Sequence, residues 1–148
     1  MAEINRQQLI LALISAGANP RLSGVDLSAL NLTRLNLEGA SMRGANLQAA
    51  NLREAIFRSV TIQYANLTVV QAVGTDFNGA NLTGSNLSGA NLQGSRLSMA
   101  NLSNTNLSGA NLLDANLSGA NVDGVKFDET TTWPDGKTGS RAKPVDYV

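Results

Sequence analysis

The sequence predicts an all-β solenoid, in which a chain that bends after every fifth residue stacks on itself, preceded by a helix and followed by a C-terminal cap and tail. Two observations predict it. A large apolar residue recurs every fifth position from Leu22 to Phe127, and small or turn-forming residues fill the places between. The series runs Leu22, Leu27, Leu32, Leu37, Met42, Leu47, Leu52, Phe57, Ile62, Leu67, Ala72, Phe77 and onward through Leu87 to Val122 and Phe127. No insertion or deletion interrupts these twenty-two units. Two positions before most of them stands a small or modest apolar residue, most often Ala, usually with Asn or Asp between them; the fifth place is often Gly.

A period of five fits neither standard element. On an α-helix each step of five rotates the side chain by about 140°, which smears the leucines around the cylinder. In a flat strand an odd step sends successive leucines to opposite faces. They share one interior only if the backbone corners after each quintet, and Gly, Asn and Ser tolerate such turns. Between corners the chain alternates, so Ala and Leu point inward and the other three positions outward. Leu47, Phe57, Leu67, Ala72, Phe77 and Leu87 are therefore expected core residues.

Ala115-Asn116-Leu117-Ser118-Gly119 carries the repeat intact and Ala90-Asn91-Leu92 a variant of it. This motif resembles the pentapeptide-repeat family's A(N/D)LXX, of cyanobacterial type, and the resemblance extends over residues 20–129. It implies a right-handed quadrilateral β-helix with four repeats per coil. Twenty-two sides then make about five and a half coils, and at a strand spacing of ~4.8 Å a rod about 26 Å long. Residues twenty apart should superpose, so Phe57 and Phe77 should meet on one side. Ala72 shares its layer with Phe77, as conserved core volume would favour.

Three regions follow: residues 1–19 as an N-terminal helical cap, 20–129 as the repeat domain, and 130–148 as a C-terminal cap and tail. Residues 3–16 read as a helix with Leu9, Ile10, Leu13 and Ile14 on a broad apolar face, stopped by Gly17 before Pro20. That face is expected to lie on the first coil, because an exposed one would be costly. At the other end Trp133-Pro134-Asp135-Gly136 contains a turn signal. Similar segments follow the repeats in many cyanobacterial members, so the resemblance implies that Trp133 covers the last layer. Residues 137–148 are polar and expected to be loosely held.

Composition limits the chemistry. Hydrophobic residues make up 43% of the chain and aromatics only 4%, while eleven Lys and Arg balance eleven Asp and Glu. No net field exists to hold nucleic acid or an anionic membrane. Cys and His are both absent, which removes disulfides, thiol nucleophiles, the usual zinc ligand sets and the commonest general base. No catalytic residues, cofactor or metal site is expected. Asn86, Asn101 and Asn116 head glycosylation-like triplets, but the repeat itself generates them. Gly119 and Gly124 have phosphate-loop spacing with Val125 where that loop needs Lys. The Asn column could face a repetitive ligand such as ice; bonding to backbone at the bends explains it better.

The third coil departs from the polar surface. Tyr64, Val69 and Val73 occupy outward positions, with Arg53 one coil before Val73 and Leu113 two coils after it. An apolar strip beside an arginine reads as a candidate protein-binding surface. The expected function is a non-enzymatic interaction or regulatory scaffold whose partner is another protein. The alternative comes from the resemblance: some family members mimic DNA and bind DNA gyrase through acidic surfaces, which zero net charge disfavours. A monomer is expected, with an end-to-end dimer as the other possibility. Leu9 to Ile14 is too short an apolar run for an export signal, so the expected location is cytoplasmic rather than exported or in a thylakoid lumen.

Overall fold

The computed structural model describes residues 4–148. Its repeat region is a stack in which one residue of each quintet pairs with the residue twenty positions on. Parallel bridges run from Arg21↔Ser41 through Asp26↔Asn46, Asn31↔Asn51 and Asn36↔Ile56 up to Asn106↔Lys126. Four quintets therefore complete one coil, and the sides begin at Pro20, Val25, Leu30 and Leu35; they are numbered one to four in that order. The final parallel bridge, Asn111↔Thr132, spans twenty-one residues, so one extra residue enters where the repeat ends.

Each bridge stands alone, and no segment among the described residues forms an extended strand. The expected β architecture is thus reduced to single paired residues, because the corner consumes the rest of every quintet. The corners are type II turns, with the residue after next to the Leu at positive φ, as at Gly84 (φ 67°). Residues 85–89 illustrate how all five backbone N–H groups find acceptors. Ser85 N–H closes the turn onto Leu82 O, Asn86 N–H bonds Ala65 O below, and Leu87 and Gly89 N–H bond Asn106 O and Ser108 O above. The fifth, Ser88 N–H, donates to Oδ1 of Asn86.

That last bond recurs at Asn31, Asn51, Asn66, Asn81, Asn101 and Asn116, and at Asp26 and Asp76. The Asn column is therefore structural: it supplies the one acceptor that neighbouring coils cannot.

The inward positions form a continuous core in which Leu47, Phe57, Leu67, Ala72, Phe77 and Leu87 are fully buried. Phe57 and Phe77 meet on one side as expected, edge to face, with centroids 5.4 Å apart. Inward hydroxyls replace Ala at several places and bond backbone carbonyls, Thr75 to Leu52 O and Ser85 to Ile62 O.

Helix α1 spans Arg6–Ala16 and starts from a capping box in which Asn5 accepts Gln8 N–H and Gln8 accepts Asn5 N–H. Of the expected span 3–16, Glu3 lies outside the described residues. Leu9 is fully buried in the core cluster, with Ile10 and Leu13 half-buried. Ile14 is 74% exposed, contrary to expectation. The helix touches the core along one line, and Ile14 lies roughly 140° around the helix from Leu9. Arg6 reaches from α1 to the carbonyls of Asn31 (2.6 Å) and Thr33 (3.0 Å).

Trp133 is fully buried, edge-on to Phe127 and stacked on Tyr147, and its indole N–H donates to Gly139 O at 2.9 Å. The tail is accordingly not loose. Two short 3-10 turns, Gly139–Arg141 and Pro144–Tyr147, bring it back over the indole. No helix among the described residues is long and apolar enough to cross a membrane.

Candidate interaction surface

The corner position admits Gly without strain, yet ten non-glycine residues occupy it at positive φ. Three of them are large and apolar: Tyr64 (φ 54°), Val69 (φ 50°) and Met99 (φ 59°). All three stand in solvent, at 58%, 47% and 72% exposure. Left-handed backbone costs a non-glycine residue about 1–2 kcal/mol, and β-branching makes Val69 an outlier. Each leans toward a glycine one coil on, Tyr64 over Gly84, Val69 over Gly89 and Met99 over Gly119. The Arg43 guanidinium lies 5.2 Å from the Tyr64 ring centroid, in cation–π range.

The sequence-based candidates do not form one patch. Tyr64 and Val69 end sides one and two, whereas Arg53, Val73 and Leu113 share a column on side three. Val73 and Leu113 are only half-buried there, and Leu113 packs near Gly136 of the C-terminal turn. Met99 was not anticipated; the signal for it is a large apolar residue in a column otherwise rich in Gly. Charged clusters were also missed. Asp76, with its side chain 9% exposed, accepts Arg58 Nε at 2.5 Å and lies 3.9 Å from Arg96 Nη1. Around the corner Glu54 accepts Arg34 Nε at 2.6 Å and lies 3.6 Å from Arg53.

The pentapeptide-repeat model matches residues 21–58, 62–98 and 95–131, with eight copies, well over half of the chain. The chain belongs to the pentapeptide repeat family. Such proteins fold as right-handed quadrilateral β-helices, the architecture built above from the twenty-residue register.

Among solved structures, this pentapeptide repeat protein is similar to one from the thylakoid lumen of Arabidopsis thaliana, at 30% identity and a TM-score of 0.50. That alignment covers 75% of this chain and 65% of the other, just under two thirds of its length. Rfr23 from the cyanobacterium Cyanothece 51142 is 30% identical, with 79% of this chain and 85% of that one covered and a TM-score of 0.41. A trypsin-treated variant of QnrB1, a plasmid-mediated fluoroquinolone resistance protein, aligns at 23% identity and a TM-score of 0.51, covering 73% and 62%. No curated protein sequence matches the chain.

The chemistry of the surface is that of ionised, bonded groups. Hydrogen bonding and charge from Arg34, reinforced by Arg53, hold the Glu54 carboxyl below its ordinary value. Asp26 and Asp128 are lowered by bonds from Ser28 and Thr130. Carboxylates held in this way are poor proton donors at neutral pH and good partners for cations. Among the described residues no group of three His, Cys, Asp or Glu gathers to hold a metal ion.

Proposed function

We propose that this pentapeptide repeat protein is a non-enzymatic scaffold that presents its side faces to another protein. One observation carries the reading: Tyr64, Val69 and Met99 combine strained backbone with exposed apolar side chains at three separate corners where Gly would cost neither. Local strain that holds large apolar side chains in solvent points to an external use. The buried Leu9 and the Trp133 segment read as lids on the two ends of the core, which supports a monomer whose sides are the working surfaces.

The test is to replace Tyr64, Val69 and Met99 together by Gly, which suits all three corners, and to compare partners captured from source-cell lysate by quantitative mass spectrometry. Loss of specific partners with the fold intact supports the scaffold. An unchanged set of partners refutes this surface.

The likeness to QnrB1 concerns the fold. DNA mimicry needs rows of free acidic groups, whereas here Glu54 and Asp76 are each shared between two arginines.

A further inference from the structure

We propose that side one, over the first three coils, docks an acidic α-helix of a partner protein. The proposal rests on the scaffold reading and names the face and the partner's chemistry. In most quintets an Asn or Asp side chain accepts the outward N–H two residues on, as Asn81 accepts Thr83 and Asn101 accepts Ser103. On side one the first three coils carry Arg21, Ser41 and Thr61 in that place. The N–H groups of Ser23, Arg43 and Gln63 therefore find no acceptor among the described residues. On the other sides such departures are isolated. Gln71 stands alone on side three, and on side four Asp76, which accepts Asn78 N–H, separates Ile56 from Arg96. Side one alone stacks three open donors in successive coils.

Charge on this face has one sign. Arg21 and Arg43 are the charged residues of side one until Asp123 in the sixth coil, and neither bonds a carboxylate among the described residues. The other repeat arginines, Arg34, Arg53, Arg58 and Arg96, are paired with Glu54 or Asp76. Asp26 and Glu38 lie past the bounding corners, on sides two and four. Asp26 accepts Ser28 N–H and the Asn46 amide, and Glu38 shares a depression with Arg58. The first three coils of side one thus offer two positive charges beside three N–H donors, a set that suits carboxylates. The Arg43 guanidinium lies 5.2 Å from the centre of the exposed Tyr64 ring, and Arg and Tyr are the residues of binding hot spots. Spacing selects a helix. Carboxylates at i, i+3 and i+7 stand about 4.5 and 10.5 Å along an α-helix, against ~4.8 and ~9.6 Å for successive coils. An extended segment repeats its face about every 6.7 Å and loses register by the second step. Two guanidinium groups are few for the phosphates of a nucleic acid.

The test uses the full chain and a fluorescein-labelled, alanine-based helical peptide with Glu at i, i+3 and i+7, at low salt. A peptide of the same composition with its Glu residues on different faces, one with Lys for Glu, and a single-stranded oligonucleotide serve as comparisons. Ser41→Asn with Thr61→Asn restores the repeat's own residue and occupies the Arg43 and Gln63 N–H groups without changing the charge. The fold should therefore be retained, as circular dichroism will check. The wild type should bind the one-faced acidic helix, and this variant should bind roughly tenfold more weakly, as loss of charge-assisted hydrogen bonds implies. Arg21→Asn with Arg43→Gln should weaken binding at least as much, and Val69→Gly with Met99→Gly should leave it unchanged. No binding by the wild type, equal binding by the Ser41/Thr61 or the Arg21/Arg43 variant, equal binding of the rearranged peptide, or preference for the oligonucleotide overturns the proposal. Lysate partners that survive the Arg21/Arg43 variant, but are lost with Val69→Gly and Met99→Gly, would sink side one alone. Partners untouched by either variant and by Tyr64→Gly would sink the scaffold reading as well.

Discussion

The ring of Tyr64 lies over Gly84, so close that a Cβ on the glycine would stand 2.6 Å from Cδ1 and Cε1 of the ring. The relation is general. Glu54, Ser59, Val69, Met99 and Asn104 likewise lean on Gly74, Gly79, Gly89, Gly119 and Gly124, each exactly one coil on. Gly84→Ala therefore meets two obstacles, left-handed backbone and the tyrosine ring. Gly94 has the same backbone (φ 63°) with open space around it. Gly94→Ala should cost about 1–2 kcal/mol, the backbone penalty alone. Gly84→Ala should cost about 1 kcal/mol more, and Tyr64→Gly should remove that excess in a double-mutant cycle. Equal losses at the two glycines in urea unfolding would show that the ring moves aside freely.

Val69→Gly tests the strain itself. Glycine costs about 1 kcal/mol in unfolded-chain entropy, against at least the 1–2 kcal/mol that left-handed backbone imposes on valine. The variant should unfold at the same or a higher temperature than the wild type. A clear drop would mean that the valine side chain packs usefully on Gly89.

The Asn side chains carry a distinct prediction. Ser103 N–H donates to Asn101 Oδ1 at 3.0 Å, and Asp26 and Asp76 perform the same task with a carboxylate. Asn101→Asp should stay within about 0.5 kcal/mol of wild type, while Asn101→Ala should lose about 1 kcal/mol with its hydrogen bond. Similar losses from both would assign the column to some property other than acceptor geometry.

Much of this was legible in the sequence because the period of five states where the corners fall. Leu47, Phe57, Leu67 and Phe77 are buried as their spacing requires, and Trp133 lies at the end of the core. The surface was harder to read. Tyr64, Val69 and Val73 are neighbours in sequence, but each quintet turns a corner, so they face three different ways. Neighbours on a face are twenty residues apart, as with Ile56, Asp76 and Arg96, and that register becomes useful only once the number of sides is fixed. Ile14 was misplaced because an apolar stripe in a short helix does not say how much of its width will be covered. The tail was judged by its polarity, which hid the ring of Tyr147 that anchors it on Trp133.

Arg6 occupies the place of an absent coil. Within the stack, Leu32 and Arg34 N–H donate to Asn51 O and Arg53 O; on the first coil the equivalent carbonyls, Asn31 O and Thr33 O, receive the Arg6 guanidinium instead. A forked cation spans two carbonyls where a lysine ammonium offers a single point. Arg6→Ala should destabilise by about 1–3 kcal/mol and bare a polar edge, and Arg6→Lys should not restore the loss. Thermal unfolding and light scattering read both effects. Full rescue by lysine would reduce the role of Arg6 to its charge.

The C-terminal segment should respond to pH at both extremes, reported by the single tryptophan. Tyr147 O–H donates to Asp135 Oδ1 at 2.8 Å while its ring stacks on Trp133. Bonds from Lys137, with help from Tyr147, lower the Asp135 carboxyl from 3.8 to about 2. Its contribution is complete above pH 3.8 and is lost as pH falls toward 2, because the unfolded chain takes up the proton first. Burial, then the Asp135 bond, raises the Tyr147 phenol from 10.0 to about 12. That contribution is complete below pH 10 and disappears as pH rises toward 12, where the unfolded chain releases its proton more readily. Trp133 fluorescence should therefore hold constant between these limits and change beyond each. Tyr147→Phe keeps the stacking ring but removes the hydroxyl, so it should abolish the alkaline change and shrink the acid one. An acid transition unaltered in that variant would assign the response to another carboxylate.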